Sequence, residues 1–224
     1  MANLMREVEG TTLLRDREDE RIWIDDETNL YTVKSAYKKL NKSNGTQQEN
    51  LFELFWKMKA LPSAQYFAWR VIINRVATYD NLQNRGVEVG SKVCVICHCC
   101  DETVTHLFFS CRIAARLWKM CDSWLGLYSV HHNSAEIHFL QFEHLGLSKS
   151  CNIVWRCMWV ATIWSIWNQR NNIIFRNAKV DVEEMFSLAQ VKTWVWIIKK
   201  YPRASFSYSD WCLCPTTCLK LMRL

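Results

Sequence analysis

No stretch of the chain restricts its fold as tightly as residues 94–111, where Cys94, Cys97, His106 and Cys111 are spaced C-x2-C-x8-H-x4-C. A tight turn can aim two thiolates at one point when two residues separate them, so structural zinc sites often lead with such a pair. The start of a helix can bring an imidazole and a third thiolate back to the same ion. Three thiolates, one neutral imidazole and a dication sum to about −1, tolerable in a partly buried site. Cys97 and Cys100 form a second pair at the same spacing, with His98 and Cys99 between them. Cys94 with Cys97 is the preferred pair, and Cys100 stands as the substitute ligand.

Two other readings of these residues compete. With 11 cysteines in the chain, accidental pairs arise, and a buried thiol commonly serves as a small apolar residue. The downstream H-x4-C favours metal over that reading. A disulfide framework is disfavoured because the N-terminus carries no signal-peptide pattern, and this many thiols suit a reducing compartment, nuclear or cytoplasmic.

Motifs on either side of the knuckle keep a fixed order. They include Tyr31-Thr32-Val33-Lys34-Ser35-Ala36-Tyr37, Phe55-Trp56-Lys57, Ala68-Trp69-Arg70, Asp80-Asn81-Leu82-Gln83-Asn84-Arg85-Gly86 and Thr105-His106-Leu107-Phe108-Phe109-Ser110-Cys111. Together with the Cys94/Cys97 pair, this series resembles the zinc-binding domain that follows the reverse transcriptase in plant non-LTR retrotransposons. The likeness is closest over residues 31–120. It continues more weakly to about residue 177 through Ile163-Trp164-Ser165-Ile166-Trp167-Asn168-Gln169-Arg170-Asn171, which is similar to a Trp–Arg–Asn helix beyond that domain. His98-Cys99-Cys100 departs from the small or polar residues usual there. The resemblance implies a zinc-binding segment that contacts nucleic acid downstream of a polymerase.

The fold class expected is mainly α, with a small N-terminal β-hairpin, helical pairs around a CCHC zinc knuckle, and long Trp-rich helices after it. Only 6 Gly and 3 Pro in 224 residues disfavour a sheet-and-turn architecture, and 12 Trp with half the residues hydrophobic supply a core. Residues 1–30 read as a charged lead-in and the start of the hairpin, whose β-favouring runs Arg21–Ile24 and Leu30–Val33 flank a turn-rich stretch. Residues 31–125 form the zinc-binding domain, 126–150 a loop-rich connector, 151–202 a helical extension and 203–224 a Cys-rich tail.

Within that frame, Thr32 or Ser35 is expected to cap a helix to Leu40, and residues 41–48 to be a linker. Residues 49–60 and a run from Ser63 should be paired helices with aromatic cores. Asp80 should start a short helix stopped by Gly86. Arg112 to Leu125 should be a strongly periodic helix, and 152–177 a central helix apolar nearly all round. Asp181 should cap a last helix closed by Pro202. The apolar run 153–167 is too short to span a bilayer and contains Arg156. His131, His132, His138 and His144 fit no ligand template and read as surface or packing residues. Cys212, Cys214 and Cys218 lack the spacing of a second zinc site.

The formal net charge is +6, and its basic excess lies beyond residue 50. Lys92, Arg112, Arg116 and Lys119, beside or after the knuckle, are the leading candidates for phosphate contact, against the plain reading of a solvated helix face. Arg170 and Arg176 are further candidates. Trp23-Ile24-Asp25-Asp26 has the look of a polymerase metal-binding turn, but two-metal chemistry needs a further carboxylate that the 22 residues ahead of it do not bring. No nucleophile–base pair, phosphate loop or H-E-x-x-H pattern is present. The expectation is a non-enzymatic module with structural Zn2+ that contacts RNA or DNA and no membrane. A protein-interaction module and an inactive retroelement remnant are the alternatives.

Overall fold

The architecture comes from a computed structural model, which describes residues 22–24, 28–42, 45–58, 60–128, 130–141, 148–202 and 206–221. Residues 1–21 of the charged lead-in, Asp25-Asp26 and His144 lie outside the described residues. The chain divides into two units, Met1–Glu49 and Asn50–Leu224.

In the first unit, helix α1 (Val33–Lys42) starts on a reciprocal cap. The Ser35 N–H donates to Thr32 Oγ1 at 3.0 Å and the Thr32 N–H to Ser35 Oγ at 3.2 Å. Two of the orphan donors of the first turn are thereby satisfied. The hairpin expected ahead of it is not seen among the described residues. The Trp23 N–H reaches the Asn29 carbonyl at 2.9 Å and closes a turn, but neither flank is a strand. Ile22, Ile24, Leu30 and Tyr31 are all exposed, so an alternating pattern there buries no face and nothing fixes a register.

The linker expected over 41–48 is also shorter than its polar composition suggests. Helix α1 runs to Lys42 and helix α2 (Gly45–Trp56), which spans the division between the units, starts at Gly45. Glycine is tolerated at a helix start because the first N–H groups lack intrahelical partners in any case.

In the second unit, helix α3 (Pro62–Ile72) opens on Pro62, whose missing N–H costs nothing there. Phe52 meets Trp69 and Phe55 meets Trp69 edge-on or tilted, and Gln65 Nε2 donates to the Phe55 carbonyl at 2.7 Å. The short helix α4 (Tyr79–Gln83) is followed by Gly86 at φ +77, a left-handed value that glycine adopts without steric cost. Helix α5 (Arg112–Leu125) stops at Gly126, φ +68, where the Leu127 N–H returns to the Asp122 carbonyl. Helix α6 (Ala135–Leu140) follows.

Helix α7 (Lys149–Arg176) is the axis of this unit. It is buried on nearly every side along its middle, with Val154, Trp155, Cys157 to Ala161, Ile163 and Ile166 in the core. Phe67 of α3 packs on Trp164 and Trp167, and Trp118 of α5 on Trp155. Helix α8 (Val182–Lys200) folds back along it as the other arm of a helical hairpin. Asp181 caps α8 by accepting from the Glu184 N–H at 2.8 Å, and Thr193 donates to the Met158 sulfur across the pair. The tail expected to be merely Cys-rich forms α9 (Tyr208–Leu213) and α10 (Pro215–Leu221), with Trp211 fully buried against Trp124 and Phe206. No helix among the described residues is long and apolar enough to cross a membrane.

Candidate metal centre

The knuckle is built by two short backbone devices. Val93 and Asp101 form an antiparallel bridge, closed by the Cys94 N–H to the Cys100 carbonyl at 2.8 Å and the Glu102 N–H to the Lys92 carbonyl at 2.7 Å. Inside this loop the His98 N–H donates to the Cys94 carbonyl at 2.8 Å, and His98 takes φ +56. The left-handed His98 follows Cys97 where the chain reverses, and Cys94 and Cys97 bring their sulfurs to the same cluster.

The second device is a π-helical turn, His106–Ser110. In an α-helix, residues five apart point about 140° away from each other. The widened turn, with the Cys111 N–H bonded to the His106 carbonyl at 2.7 Å, brings the imidazole and the third sulfur round to the same point. Thr103 starts this segment by accepting the His106 N–H on Oγ1 at 3.0 Å, and Trp118 Nε1 donates to the Phe108 carbonyl at 2.7 Å, fixing the turn to α5.

The result is that Cys94, Cys97, His106 and Cys111 offer ligand atoms all within 4.8 Å of one another. A tetrahedron of sulfurs about 2.3 Å from a zinc ion has edges of about 3.8 Å, so the donors lie at the spacing such an ion needs. Cys97 Sγ and His106 Nε2 stand 3.2 Å apart. The three sulfurs are buried, and the donor set fits a metal that prefers thiolate and imidazole. Burial is the main cause that raises the Cys97 thiol. The hydrogen bond between Cys94 and Cys111 is the first cause that pushes the Cys94 thiol up and pulls the Cys111 thiol down. Cys99 and Cys100 are exposed and outside the cluster, and the Cys99 thiol donates to the Cys97 carbonyl at 3.1 Å.

The basic candidates lie around this knuckle. Lys92, Arg112, Arg116 and Lys119 are all exposed. Arg112 Nη2 donates to the Cys97 carbonyl at 3.3 Å, and Arg116 pairs with Glu183 of α8. Arg170, expected at the surface, is instead only 4% exposed and lies against Glu102, 1% exposed, inside the unit. Arg170 Nη2 and Nε donate to Glu102 Oε1 and Oε2 at 2.8 and 3.3 Å, and the Tyr79 N–H donates to Oε1 at 3.3 Å. The guanidinium lies 4.9 Å from the ring centres of both Tyr79 and Trp167. The sequence holds two acids, Asp101 and Glu102, between the ligands and three arginines, Arg156, Arg170 and Arg176, on the long helix, and spacing alone does not say which of them meet. Arg176 is exposed at the C-terminal end of α7, where the helix dipole favours a cation.

The histidines after α5 supply no ligand to a metal cluster among the described residues. His138 is fully buried and accepts from Trp159 Nε1 at 3.0 Å, while His131 pairs with Asp122 at 2.8 Å. Cys212, Cys214 and Cys218 form no such cluster either.

Residues 31–118 match the family model described as zinc-binding in reverse transcriptase. That interval contains all four clustered ligands and ends inside α5. No curated protein and no solved structure matches the chain.

Proposed function

Because residues 31–118 are a zinc-binding domain of the reverse transcriptase family, we propose that this chain is a structural zinc module, non-catalytic, that contacts nucleic acid. The observation that carries the reading is the convergence of Cys94, Cys97, His106 and Cys111. A catalytic zinc keeps a position open for water beside three protein ligands, whereas four side chains here offer donors. The buried acid nearest the ligands, Glu102, is already held by Arg170 and the Tyr79 N–H, which takes it out of use as a general base. Bound zinc would supply a cross-link between the two halves of the knuckle, and structural sites of this kind contribute about 10–16 kcal/mol to folding. Three ligand thiols that must stay reduced support the reading of a reducing compartment, nucleus or cytoplasm.

Nucleic-acid contact is supported by the family and by exposed cations beside the knuckle, Lys92, Arg112 and Lys119 above all. Attraction of this kind is sequence-tolerant and weakens as salt rises. A protein-interaction module with the same structural zinc is the second reading. It is favoured by the exposed aromatic group of Phe52 and Trp56 on α2 around Trp69, since apolar surface of this kind is typical of protein contacts.

Elemental analysis tests the first part: one zinc per chain is expected, lost in Cys94→Ser, Cys97→Ser, His106→Ala and Cys111→Ser and kept in Cys100→Ser. Titration of zinc-loaded protein with single-stranded RNA and DNA at low salt tests the second. No detectable binding to either would leave the zinc module standing and remove its nucleic-acid role.

A further inference from the structure

A second group of arginines lies at the corner between α3 and α4. Arg70, in the last turn of α3, donates through Nε and Nη2 to the carbonyl of Arg75 at 3.2 and 2.7 Å. Arg85, just beyond α4, brings its own Nη2 to the same oxygen at 3.5 Å. Arg75 itself is exposed. The corner that gathers these three is rigidly made. The Arg75 N–H bonds the Arg70 carbonyl at 2.7 Å, Asn74 is left-handed at φ +52, and Asn81 Nδ2 reaches Asn74 Oδ1 and the Val76 carbonyl at 2.9 and 3.0 Å.

Among the described residues, no carboxylate pairs with Arg70, Arg75 or Arg85. The ion pairs among the described residues are Lys57–Glu53, Arg116–Glu183, His131–Asp122 and Arg170–Glu102. One peptide carbonyl, carrying only partial charge, serves two arginines and leaves most of their N–H groups to solvent. A phosphate oxygen bears a full charge and accepts charge-assisted bonds about twice as strong as neutral ones. One helical turn before Arg70 on α3 stands Tyr66, 60% exposed, with its ring open to solvent. Guanidiniums for the backbone beside an aromatic face for a base is the pairing that holds single-stranded nucleic acid. A lipid headgroup or a phosphorylated side chain would use the cations and leave the ring idle.

We propose that the Arg70–Arg75–Arg85 corner, with Tyr66 beside it, is a surface that grips the phosphodiester backbone of a single strand and stacks one of its bases. The proposal rests on the reading of the chain as a nucleic-acid module and gives that contact a place other than the face of Arg112, Arg116 and Lys119.

The test is fluorescence anisotropy of a labelled single-stranded RNA with the zinc-loaded full chain across a salt series. Arg75→Glu and Arg85→Glu together are expected to flatten the slope of log K against log salt by about 1.4, two phosphate contacts at about 0.7 each. Tyr66→Ala is expected to weaken binding roughly tenfold with the slope unchanged, the size of one stacked base. Arg70 is left intact because it closes the corner. Arg75→Gln serves where charge reversal lowers zinc content or melting temperature, and should remove about 0.7 from the slope alone. Variants that keep zinc, melting temperature, affinity and slope overturn this surface while the nucleic-acid reading survives. No binding by the unaltered chain overturns both.

Discussion

Arg170 of the long helix holds both oxygens of Glu102, the residue between the second and third ligands of the knuckle, at 2.8 and 3.3 Å. The two are 68 positions apart in the chain and almost fully removed from water. The family match ends at residue 118, yet this pair makes the knuckle and the helical extension parts of one packed unit.

Breaking such a pair from one side leaves a buried charge alone, which costs about 3–5 kcal/mol, whereas removing both partners is often close to neutral. Arg170→Met and Glu102→Leu should therefore each destabilise the protein by about that amount, and the double variant should recover much of the loss. Denaturant unfolding of the four proteins closes the cycle. Additive losses would show that the pair is incidental.

The sequence made much of this legible, and the reasons are local. Cys94, Cys97, His106 and Cys111 are close in sequence, so two turns suffice to bring them together and spacing alone carries the geometry. Arg112 to Leu125 is legible end to end because its apolar stripe repeats at helical spacing throughout. The π turn was hidden, since nothing in His106 to Ser110 distinguishes an i→i+5 bond from an ordinary helix start. The hairpin failed because β-favouring residues such as Ile22 and Ile24 decide a strand only when one face has something to cover. The Glu102–Arg170 pair and the Arg70–Arg75–Arg85 corner depend on where chain segments meet, which no periodicity encodes.

Acid should weaken the fold through His138 as well as through the ligands. Burial is the first cause that holds its ring well below the usual 6.5, and the neighbouring His131, stacked 4.7 Å away, adds to it. Nδ1 accepts from Trp159, and Nε2 has no hydrogen-bond partner and sits among the aromatic rings, with Trp118 4.5 Å from it centre to centre. Asp122, paired to His131, is the acid facing this group. The folded His138 stays neutral where the unfolded one takes up a proton. Its contribution is therefore full above pH 6.5 and lost as pH falls below that value, at about 1.4 kcal/mol per pH unit. His138→Asn, which keeps an acceptor for Trp159, should unfold with a shallower pH dependence between 6.5 and 5. The ligands contribute equally to both proteins, so the difference in slope isolates this ring. Equal slopes would show that His138 is protonated in the fold.

Two left-handed positions give opposite expectations. A Cβ on Gly126 would meet nothing within 4 Å, so Gly126→Ala suffers only the backbone penalty of φ +68, about 1–2 kcal/mol. His98 already bears that penalty at φ +56. His98→Gly should keep its zinc and melt at the same temperature or slightly higher, the relief being offset in part by about 0.5–1 kcal/mol of glycine entropy. Loss of zinc in that variant would mean that the His98 ring acts as a ligand.

Thiol labelling separates the cysteines by their surroundings, the half-buried Cys212 lying between the classes. Cys99, Cys100 and Cys214 are exposed, whereas Cys94, Cys97 and Cys111 are buried in the cluster and Cys121, Cys151, Cys157 and Cys218 in the core. Only the thiolate attacks an alkylating reagent, and a thiolate bound to a metal or packed in an apolar core is shielded from it. Iodoacetamide on the zinc-loaded protein should therefore modify Cys99, Cys100 and Cys214 within the first minutes and spare the buried sulfurs. A chelator should then add Cys94, Cys97 and Cys111 together, because the loss of one ion frees all three. Cys121, fully enclosed and with its thiol pushed up by burial, should follow only on global unfolding. Peptide mapping by mass spectrometry reads each site separately. If Cys94 were labelled as fast as Cys99 before any chelator was added, the four side chains would not be holding an ion in common.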